Sequence, residues 1–259
     1  MTHTDGRARP AKPLTLAIDV GGSHLKAAVL KASGKISTGP LRVETPKPAT
    51  PDAVVSALVS LSQQLGQFDR VSIGFPGVVR ADFVLTAPNL DTKEWHGFRL
   101  GAVLAKDLGK PVRILNDASI QGLGVITGRG LECVLTLGTG MGFALFQDGK
   151  IAPHLELSQH PIRKHRTYDE YVGKAALESV GRRRWSKRVH KIIAILETVF
   201  AYELLYIGGG NAKWIEPPIP PHVKIVPNIA GITGGVRLWD RRMDHAFTEQ
   251  QPAFAEAQA

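Results

Sequence analysis

Short apolar runs that end in glycine-rich turns mark the beginning of the chain. Leu14–Val20 is such a run, and the two glycines that follow it indicate a buried strand that enters a tight turn. Leu25–Leu30 is apolar at most positions and predicts a returning strand. The pattern therefore predicts a hairpin around the sequence DVGGSH.

The same unit recurs in the second half of the chain. Cys133–Leu137 predicts an apolar strand, the sequence GTGMG a glycine turn, and Phe143–Phe146 a returning strand. Two similar halves that face each other would form a cleft with one glycine turn on either wall.

Strands alternate with helices along the rest of the sequence, which predicts an α/β fold. Thr50 and Pro51 are typical of a helix start, with Thr50 as the capping residue. The further elements that we predict are helices over 50–65, Phe98–Leu108, Ser119–Thr127, Tyr168–Ser179, Trp185–Tyr202 and Ile229–Trp239, and strands over Val71–Gly74, Val112–Leu115, Leu204–Ile207 and Val223–Val226.

These elements divide the chain into four parts. Residues 1–13 are polar and aperiodic and predict a disordered tail. Residues 14–115 predict an N-terminal α/β domain and residues 116–240 a C-terminal one, with the option that its last helix packs back on the N-terminal domain. Residues 241–259 predict a flexible tail.

Positive charge is in excess and is concentrated in three places. The chain has 32 Lys and Arg against 23 Asp and Glu, a net charge of +9. The clusters are Arg163–Arg166 (RKHR), Arg182–Arg188 (RRRWSKR) and the three arginines of Arg237–Arg242. They favour an anionic partner such as nucleic acid, an acidic surface or a phosphate-rich substrate. A solvated basic surface explains the charge equally well.

Several classes of protein are excluded by what the sequence lacks. No apolar run approaches the roughly 18 residues that a membrane-spanning helix needs. The first 13 residues have no apolar core of the kind found in signal peptides, so we expect a cytoplasmic protein. Cys133 is the single cysteine, which excludes disulfides and cysteine-rich zinc sites.

The first glycine turn has the residues of a phosphate-binding site. The backbone N–H groups of Gly21 and Gly22 could point at one anion, and the Ser23 hydroxyl could add a donor. Asp19 could hold Mg²⁺ through water, and Lys26 lies on the returning strand. An ordinary hairpin turn is the alternative.

Two further glycine clusters share this character. Gly138–Gly142 has the same strand–turn–strand setting, and no Gly-Lys-Ser/Thr follows it, so it is not a Walker loop. Gly208–Gly210 follows a predicted strand and could let a nucleotide ring or ribose approach the backbone. The alternative for Gly208–Gly210 is a plain strand-to-helix turn.

Asp117 is the candidate general base. It follows a predicted strand, precedes a helix and has Asn116 beside it. Functional carboxylates of open α/β folds lie at such carboxyl ends, and phosphoryl transfer to a hydroxyl needs a carboxylate within hydrogen-bond reach of that hydroxyl. The alternative is that Asp117 caps the following helix, and both roles are compatible.

The remaining polar candidates suit the recognition of sugar hydroxyls. Asn89, Glu156 and His160 offer amide, carboxylate and imidazole groups. Asn89 lies in the turn-forming sequence APNLD, so a structural turn is its alternative. For His160 the alternative is a surface histidine.

Taken in order, these motifs resemble a known family. LAIDVGGSHLKAAVL resembles the first phosphate motif of the hexokinase–actin–Hsp70 superfamily. With ILNDAS, LTLGTGMGFAL and YIGGGNAKW, the chain resembles the ROK (repressor, ORF, kinase) family. The likeness runs from about Leu14 to Trp239 and is strongest to the polyphosphate/ATP glucokinases. Supporting matches are TPKPATP, IGFPGVV, APNLDTKEW and VPNIAGITGG.

This resemblance implies two actin-like ATPase (ribonuclease H-like) domains around an interdomain cleft that closes over the sugar. It implies Asp117 as general base, with Asn116 and Asn89 on sugar hydroxyls. The residues implied to face phosphates, Mg²⁺ or the nucleotide are Asp19, Gly21, Gly22, Ser23, Lys26, Gly138, Thr139, Gly140, Gly208, Gly209 and Gly210. It further implies ATP or polyphosphate as donor, no structural zinc, and a homodimer.

One segment departs from the family pattern. The family's sugar-binding segment usually reads Glu-x-Gly-His, whereas this chain has Glu156-Leu157-Ser158-Gln159 with His160 one place later. Either Gln159 replaces the histidine or His160 serves after a one-residue insertion. Glu170 is the candidate for a further sugar-binding glutamate. The identity of the sugar is therefore open.

The function that we expect is transfer of a phosphoryl group from polyphosphate or ATP to a hexose, with glucose as the expected sugar. The alternatives are a non-catalytic sugar-binding or regulatory member of the family, or a kinase for a different hexose or amino sugar. About 13 residues precede the first strand, too few for the roughly 20 residues of a helix-turn-helix, so DNA binding is not expected.

Overall fold

Two five-stranded sheets form the framework of the protein. The computed structural model describes residues 12–90, 92–227 and 230–247. In the first sheet the strand order is β3-β2-β1-β4-β7, and in the second it is β10-β9-β8-β13-β14. The strands of the first sheet are β1 (Thr15–Val20), β2 (His24–Leu30), β3 (Ile36–Glu44), β4 (Arg70–Phe75) and β7 (Val112–Asn116). Those of the second are β8 (Leu131–Leu137), β9 (Met141–Gln147), β10 (Lys150–Ile151), β13 (Leu204–Gly208) and β14 (Val223–Ile225).

Two small hairpins and eight α-helices complete the regular structure of the described residues. The hairpins are β5 (Val79–Arg80) with β6 (Phe83–Val84), and β11 (Pro161–Arg163) with β12 (Arg166–Thr167). The helices are α1 (Pro51–Gln63), α2 (Thr92–Trp95), α3 (Leu100–Leu108), α4 (Asp117–Leu123), α5 (Tyr168–Val172), α6 (Lys174–Val180), α7 (Arg182–Phe200) and α8 (Ala230–Thr233). Short 3₁₀ helices cover Leu157–Gln159, Ala212–Trp214, Gly234–Trp239 and Arg241–Ala246.

The two sheets have the same connectivity. In each sheet the first three strands in chain order are antiparallel neighbours, and the next two strands of the sheet add in parallel on the other side of the first. The duplication expected from the glycine-turn hairpins is therefore present at the level of whole sheets. The predicted α/β fold class is confirmed.

Strand β1 is buried on both faces, which explains its continuous apolar run. Leu16, Ile18 and Val20 belong to the core that the sheet forms with α1 and α3. Ala17 faces the other way and packs with Ile232 and Val236 from the end of the chain.

Helix α4 lies between the two sheets and joins their cores. Ile120 and Leu123 pack with Val134, Ala144 and Phe146 of the second sheet. On the other side, α4 contacts β4 and β7 of the first sheet. The first turn of α4 is therefore held at the junction of the two halves.

The end of the described chain returns to the first sheet. The buried Ser72 hydroxyl donates to the carbonyl of Gly235 (2.7 Å) and accepts from Trp239 Nε1 (2.9 Å). The Arg113 guanidinium lies 4.6 Å from the Trp239 ring and 4.7 Å from the Phe247 ring. These contacts tie the last part of the chain to both β4 and β7.

Three of the differences from the sequence-based expectation have a clear physical cause. Strand β3 was not predicted, because it is an edge strand with mostly exposed residues and an internal Gly39-Pro40 that weakens the strand pattern. The helix predicted over Tyr168–Ser179 is two helices that meet at Gly173. Most of the helix predicted over Ile229–Trp239 is 3₁₀, with Gly234 and Gly235 packed closely against α4 and β1.

The predicted tails are only partly within the described residues. The predicted tail of residues 1–13 lies outside them except for its last two positions. The flexible tail predicted from residue 241 does not begin there, since Arg241–Ala246 form a 3₁₀ helix with Met243 buried and Asp244 paired with Arg113. Residues 248–259 lie outside the described chain. None of the described helices combines the length and apolar character needed to span a bilayer.

Gly122 tests the packing of α4 against the second sheet. A Cβ at this position would lie 2.5 Å from Cε2 of Phe146. We expect Gly122→Ala to lower the free energy of unfolding by about 1–3 kcal/mol, because two rigid groups would overlap. Urea denaturation measures this change.

The double variant Gly122→Ala/Phe146→Leu is the control for this steric cause. Its destabilisation should be smaller than the sum of the two single changes, since the shorter side chain makes room for the new methyl group. Strict additivity would contradict the proposed contact.

Candidate active site

A cavity of about 580 Å³ lies between the two sheets at the start of α4. Its walls come from the carboxyl ends of strands in both halves: β1 and its turn, β4, β7, β8 and β13. Ligands of open α/β sheets bind at such carboxyl ends. The cavity is therefore the candidate active site.

Asn116 and Asp117 stand where β7 meets α4. The side-chain oxygen of Asn116 caps the helix by accepting from the backbone N–H groups of Ala118 (2.9 Å) and Ser119 (3.4 Å). Its amide donates to the carbonyl of Gly77 (3.1 Å). The capping residue is thus Asn116, and Asp117 is the first residue inside the helix and lines the cavity.

The environment of Asp117 favours its protonated form. Burial is the main cause, the charges of Asp19 and Glu156 add to it, and together they raise the pKa of Asp117 to about 7. A backbone hydrogen bond from Ala118 and the nearby His154 act in the opposite direction. A carboxyl group with this pKa can accept a proton near neutral pH.

The first glycine turn forms one wall of the cavity. Gly21 and Gly22 line it, and Lys26 Nζ lies 2.9 Å from the Asp19 carboxylate. A Cβ on Gly22 would lie 3.0 Å from Cβ of Asn89, so the glycine allows Asn89 to approach the turn. Ser23 is not among the lining residues.

The second glycine turn is held in place by three neighbours. Asn211 Nδ2 donates to the carbonyl of Gly138 (2.9 Å), and the backbone N–H of Lys174 donates to the carbonyl of Thr139 (3.0 Å). The backbone N–H of Met141 donates to Asp169 Oδ1 (2.6 Å). Gly138, Thr139 and Gly140 all line the cavity.

Gly173 explains why the helix breaks between α5 and α6. A Cβ at Gly173 would lie 2.7 Å from the carbonyl oxygens of both Thr139 and Asp169. The break thus lets the backbone approach the second glycine turn closely enough for Lys174 to bond to it.

The third glycine cluster contributes two of its three members. Gly209 and Gly210 line the cavity, and Gly209 has φ +90°, which favours glycine. Gly208 ends β13 and is not among the lining residues. The buried amide Nε2 of Gln121 would lie 2.6 Å from a Cβ at Gly208, and it has no hydrogen-bond partner among the described residues.

A chain of polar contacts forms the wall opposite the first turn. Glu156 is hydrogen-bonded to the Ser158 hydroxyl and lies 3.3 Å from His154 Nε2. Gln159 Nε2 donates to Ser158 Oγ (3.2 Å) and to Asp169 Oδ2 (3.4 Å). Gln159, which does not line the cavity, thereby connects Ser158 to Asp169.

The two carboxylates of this wall have opposite pKa shifts. Burial acts to raise the pKa of Glu156, but the hydrogen bonds from His154 and Ser158 outweigh it, and the pKa is lowered. Burial raises the pKa of Asp169, and the charge of Glu156 adds to this effect against the bond from Met141. Glu156 is therefore the more readily ionised acceptor of the two.

Most of the residues selected from the sequence come together in this cavity. Those that line it are Asp19, Gly21, Gly22, Lys26, Asn89, Asn116, Asp117, Gly138, Thr139, Gly140, Glu156, Gly209 and Gly210. Those that do not line it are Ser23, Gln159, His160, Glu170 and Gly208. The roles of both sets in binding or catalysis stay predictions.

Glu170 and His160 have other contacts. The Glu170 carboxylate accepts from the backbone N–H of Thr167 (2.9 Å) in a capping box at the start of α5. His160 is exposed, and its ring centroid lies 6.3 Å from that of Tyr168.

Sequence reasoning missed three residues of the polar wall: His154, Ser158 and Asp169. His154 and Glu156 are two residues apart, a spacing that puts side chains on the same side of an extended chain. Asp169 is adjacent to Glu170, and only the helix start at Tyr168 decides which of the two faces the cavity. Among the described residues, no group of three or more His, Cys, Asp or Glu side chains is arranged to hold a metal ion.

The raised pKa of Asp117 predicts a pH-dependent stability. This pKa is about 7 in the folded protein and about 3.9 in an unfolded chain. Between these values the folded state keeps a proton that the unfolded state has lost, so the free energy of unfolding decreases as pH rises from about 4 through about 7. Asp117→Asn removes this penalty and should be more stable than the wild type at about pH 8.

Urea denaturation at about pH 5 and about pH 8 measures the effect. The stability gain of Asp117→Asn should be smaller at the lower pH. An equal gain at both would contradict the raised pKa.

Comparison with known proteins identifies the family of the chain. Residues 15–153 match the model of the ROK family. The chain is 30% identical over 239 residues to a polyphosphate glucokinase of Mycobacterium tuberculosis, with 84% of this chain and 88% of the relative covered.

Solved structures show the same fold. The inorganic polyphosphate/ATP-glucomannokinase of Arthrobacter sp. strain KM superposes with a TM-score of 0.78 at 31% identity, covering 86% of this chain and 97% of that one. A ROK family glucokinase of Streptomyces griseus gives a TM-score of 0.73 at 20% identity, covering 87% and 98%. The order of motifs, the duplicated sheets and these similarities agree, and the chain belongs to the ROK family.

Proposed function

We propose that this protein is a sugar kinase that transfers a phosphoryl group from polyphosphate or ATP to a hydroxyl of a hexose, with glucose as the sugar. The observation that carries the proposal is the position of Asp117. This carboxyl group, with a pKa of about 7, stands in the cleft between two glycine turns and a wall of polar side chains. Pure binding of a sugar does not require such a group.

The sugar hydroxyl gives its proton to Asp117 as its oxygen attacks the terminal phosphorus of the donor. The bond from that phosphorus to the bridging oxygen breaks, and the rest of the donor leaves with the electron pair. The backbone N–H groups of Gly22, Thr139 and Gly140 would stabilise the charge on phosphate oxygens. Those of Gly21 and Gly138 already donate to the carbonyls of His24 and Gly140 within the turns (both 3.0 Å). Lys26 adds a positive charge on the same side.

Asp19 fits the role of a Mg²⁺ ligand acting through water. Kinase Mg²⁺ is typically held by one or two carboxylates together with substrate phosphates, not by a cage of protein ligands. Asp19 is close enough to Asp117 for its charge to raise the pKa of the latter. When bound, the ion would neutralise charge on the transferred phosphoryl group.

Asn89, Asn116, Glu156, His154 and Asp169 would bind the sugar hydroxyls. They supply both hydrogen-bond donors and acceptors around Asp117. Gln159 would act by orienting Ser158 and Asp169.

Polyphosphate fits the donor side better than a nucleotide. The larger apolar side chains that line the cavity are Met141, Phe143 and Ile232, and the first two are almost fully buried. They offer little surface on which a purine could stack. The relative from M. tuberculosis is named a polyphosphate glucokinase, which supports the same choice, whereas the Arthrobacter protein is named for both polyphosphate and ATP.

A panel assay tests the proposal as a whole. The purified protein is incubated with Mg²⁺, a series of hexoses and amino sugars, and either ATP or polyphosphate, and sugar phosphate is measured. Product with glucose supports the proposal, and product only with another sugar replaces glucose. No product from folded protein would leave a sugar-binding or regulatory protein. Sedimentation of the same sample tests the homodimer that we include in the proposal.

The general base is tested by Asp117→Asn. We expect kcat to fall by about 10²–10⁴-fold, while the affinity for the sugar changes little, because the amide keeps the shape but cannot accept the proton. In the wild type, kcat/KM should rise with pH up to about 7 and then level off.

Asp107→Asn is the matched control, since Asp107 is an exposed carboxylate on α3. It should leave kcat unchanged. Equal losses of turnover and sugar affinity in Asp117→Asn would contradict the role of a base.

Asp169 and Glu170 form a pair of adjacent acids for testing the polar wall. We expect Asp169→Asn to raise the KM for the sugar by about tenfold or more, because a charged acceptor is lost. Glu170→Gln should change this KM less than about twofold and lower stability by about 0.5–1 kcal/mol through the weakened capping box. The reverse pattern would restore Glu170 as the sugar ligand.

A further inference from the structure

A cluster of positive charges, most of them exposed, lies on the C-terminal half of the protein. It is built from three elements: the β11–β12 hairpin, the first two turns of α7, and the 3₁₀ helix that follows the third glycine cluster. We call it the basic surface and define it by Arg163, Arg166, Arg182, Arg184, Arg188 and Lys213.

The members of the basic surface are close to one another. Arg182 and Lys213 share one indole ring, with their charged groups 3.3 Å and 5.0 Å from the centroid of Trp214. On the other side of α7, partial burial lowers the pKa of Arg188, and the charges of Arg166, Arg184 and Arg163 lower it further, against a raising effect of Tyr171. The two groups meet at the start of the helix.

These charges are not balanced within the protein. In the part of the chain that the structure describes, none of the six forms a salt bridge with a carboxylate. The first turn of α7 has three arginines and no acidic residue. Cations there repel one another and oppose the helix dipole, so the arrangement is unfavourable for the protein alone. A polyanion would relieve it.

The basic surface is separated from the second glycine turn only by helix α5. Arg188 Nη1 donates to the carbonyl of Tyr171 on one side of α5 (3.0 Å). Asp169 of the same helix accepts from Met141 in the second glycine turn, and the N–H of Lys174, the first residue of α6, donates to the carbonyl of Thr139. Helix α5 therefore contacts both Arg188 and the second glycine turn.

The basic surface also adjoins the cavity at the third glycine cluster. Lys213 is three residues after Gly210, which lines the cavity. A chain leaving the cleft past Gly209 and Gly210 would meet Lys213 and Arg182 next. Arg182 occupies a face of Trp214, so a purine could not stack there without displacing it.

We infer that the basic surface binds the distal part of a polyphosphate chain whose terminal phosphate lies in the cleft. The inference rests on the proposed kinase function and extends it by assigning the donor a second binding region outside the cavity. ATP and tripolyphosphate end within reach of the glycine turns, whereas a long chain continues onto the arginines. The protein then prefers long chains, and this preference weakens with salt because counterions compete for the surface.

The double variant Arg163→Glu/Arg184→Glu tests this assignment. Both side chains are exposed and neither takes part in the cavity. We expect the KM for long-chain polyphosphate to rise by about tenfold or more, and the KM for tripolyphosphate and for ATP to change less than about twofold. The salt dependence of the KM for the long chain should become shallower.

Lys31→Glu/Lys35→Glu is the matched control. These lysines are exposed at the turn between β2 and β3 of the first sheet, and the change in net charge is the same. The control should leave all three KM values within about twofold of the wild type, because only long-range charge is altered. An equal effect of both double variants would show a general charge effect and overturn the inference.

Direct binding separates this inference from the proposed function. Calorimetric titration of the wild type and of Arg163→Glu/Arg184→Glu with long-chain polyphosphate needs no turnover. Loss of binding in the variant supports the basic surface even if the panel assay detects no product. Unchanged binding, or a variant that changes oligomeric state and loses activity equally with every donor, overturns it. The inference is also overturned if the wild type binds duplex DNA as tightly as polyphosphate and the KM values of the double variant equal those of the wild type.

Discussion

The position of one short helix governs the rest of the structure. Helix α4 packs between the two sheets, and Asn116 fixes its start by capping two N–H groups and by bonding to Gly77 on the neighbouring loop. Because both sheets contact this helix, the carboxyl ends of their strands converge on its first turn. The cavity, the glycine turns and the polar wall are all arranged around Asp117 for this reason.

This arrangement makes Asp117 a suitable proton acceptor but lowers the free energy of unfolding when Asp117 is ionised. Asp117 lies near Asp19 and Glu156, and its burial, together with the charges of these two acids, favours the protonated form. A group with a pKa of about 7 is suited to accept a proton from a sugar hydroxyl, and in its charged form the same group destabilises the fold. The arginines at the start of α7 present a second such conflict, in which charges that repel one another are kept on the surface.

The repeated glycine turns could be predicted because their signal is local. A short apolar strand, a glycine turn and a returning strand are neighbours in sequence. The structure confirms both hairpins and the α/β fold class that this pattern predicts. The sequence does not predict the edge strand β3, because its mostly exposed residues lack the alternation of apolar and polar side chains that a half-buried strand shows. The break at Gly173 was missed because it depends on a close approach to Thr139, which is far away in sequence.

The sequence by itself determined the duplicated fold, the three glycine clusters and the Asn-Asp pair at the end of a strand, since each depends on residues adjacent along the chain. Only the tertiary structure decided which of two neighbouring acids faces the cavity. Glu170 is used in the capping box of α5, and one position of helical rotation turns Asp169 toward Met141 instead. The tertiary structure also gathered arginines from two distant segments into one surface, because packing of α5 against α7 brings the hairpin to the helix. Contacts of this kind depend on how whole helices and strands pack together, so the local pattern of residues along the sequence does not predict them.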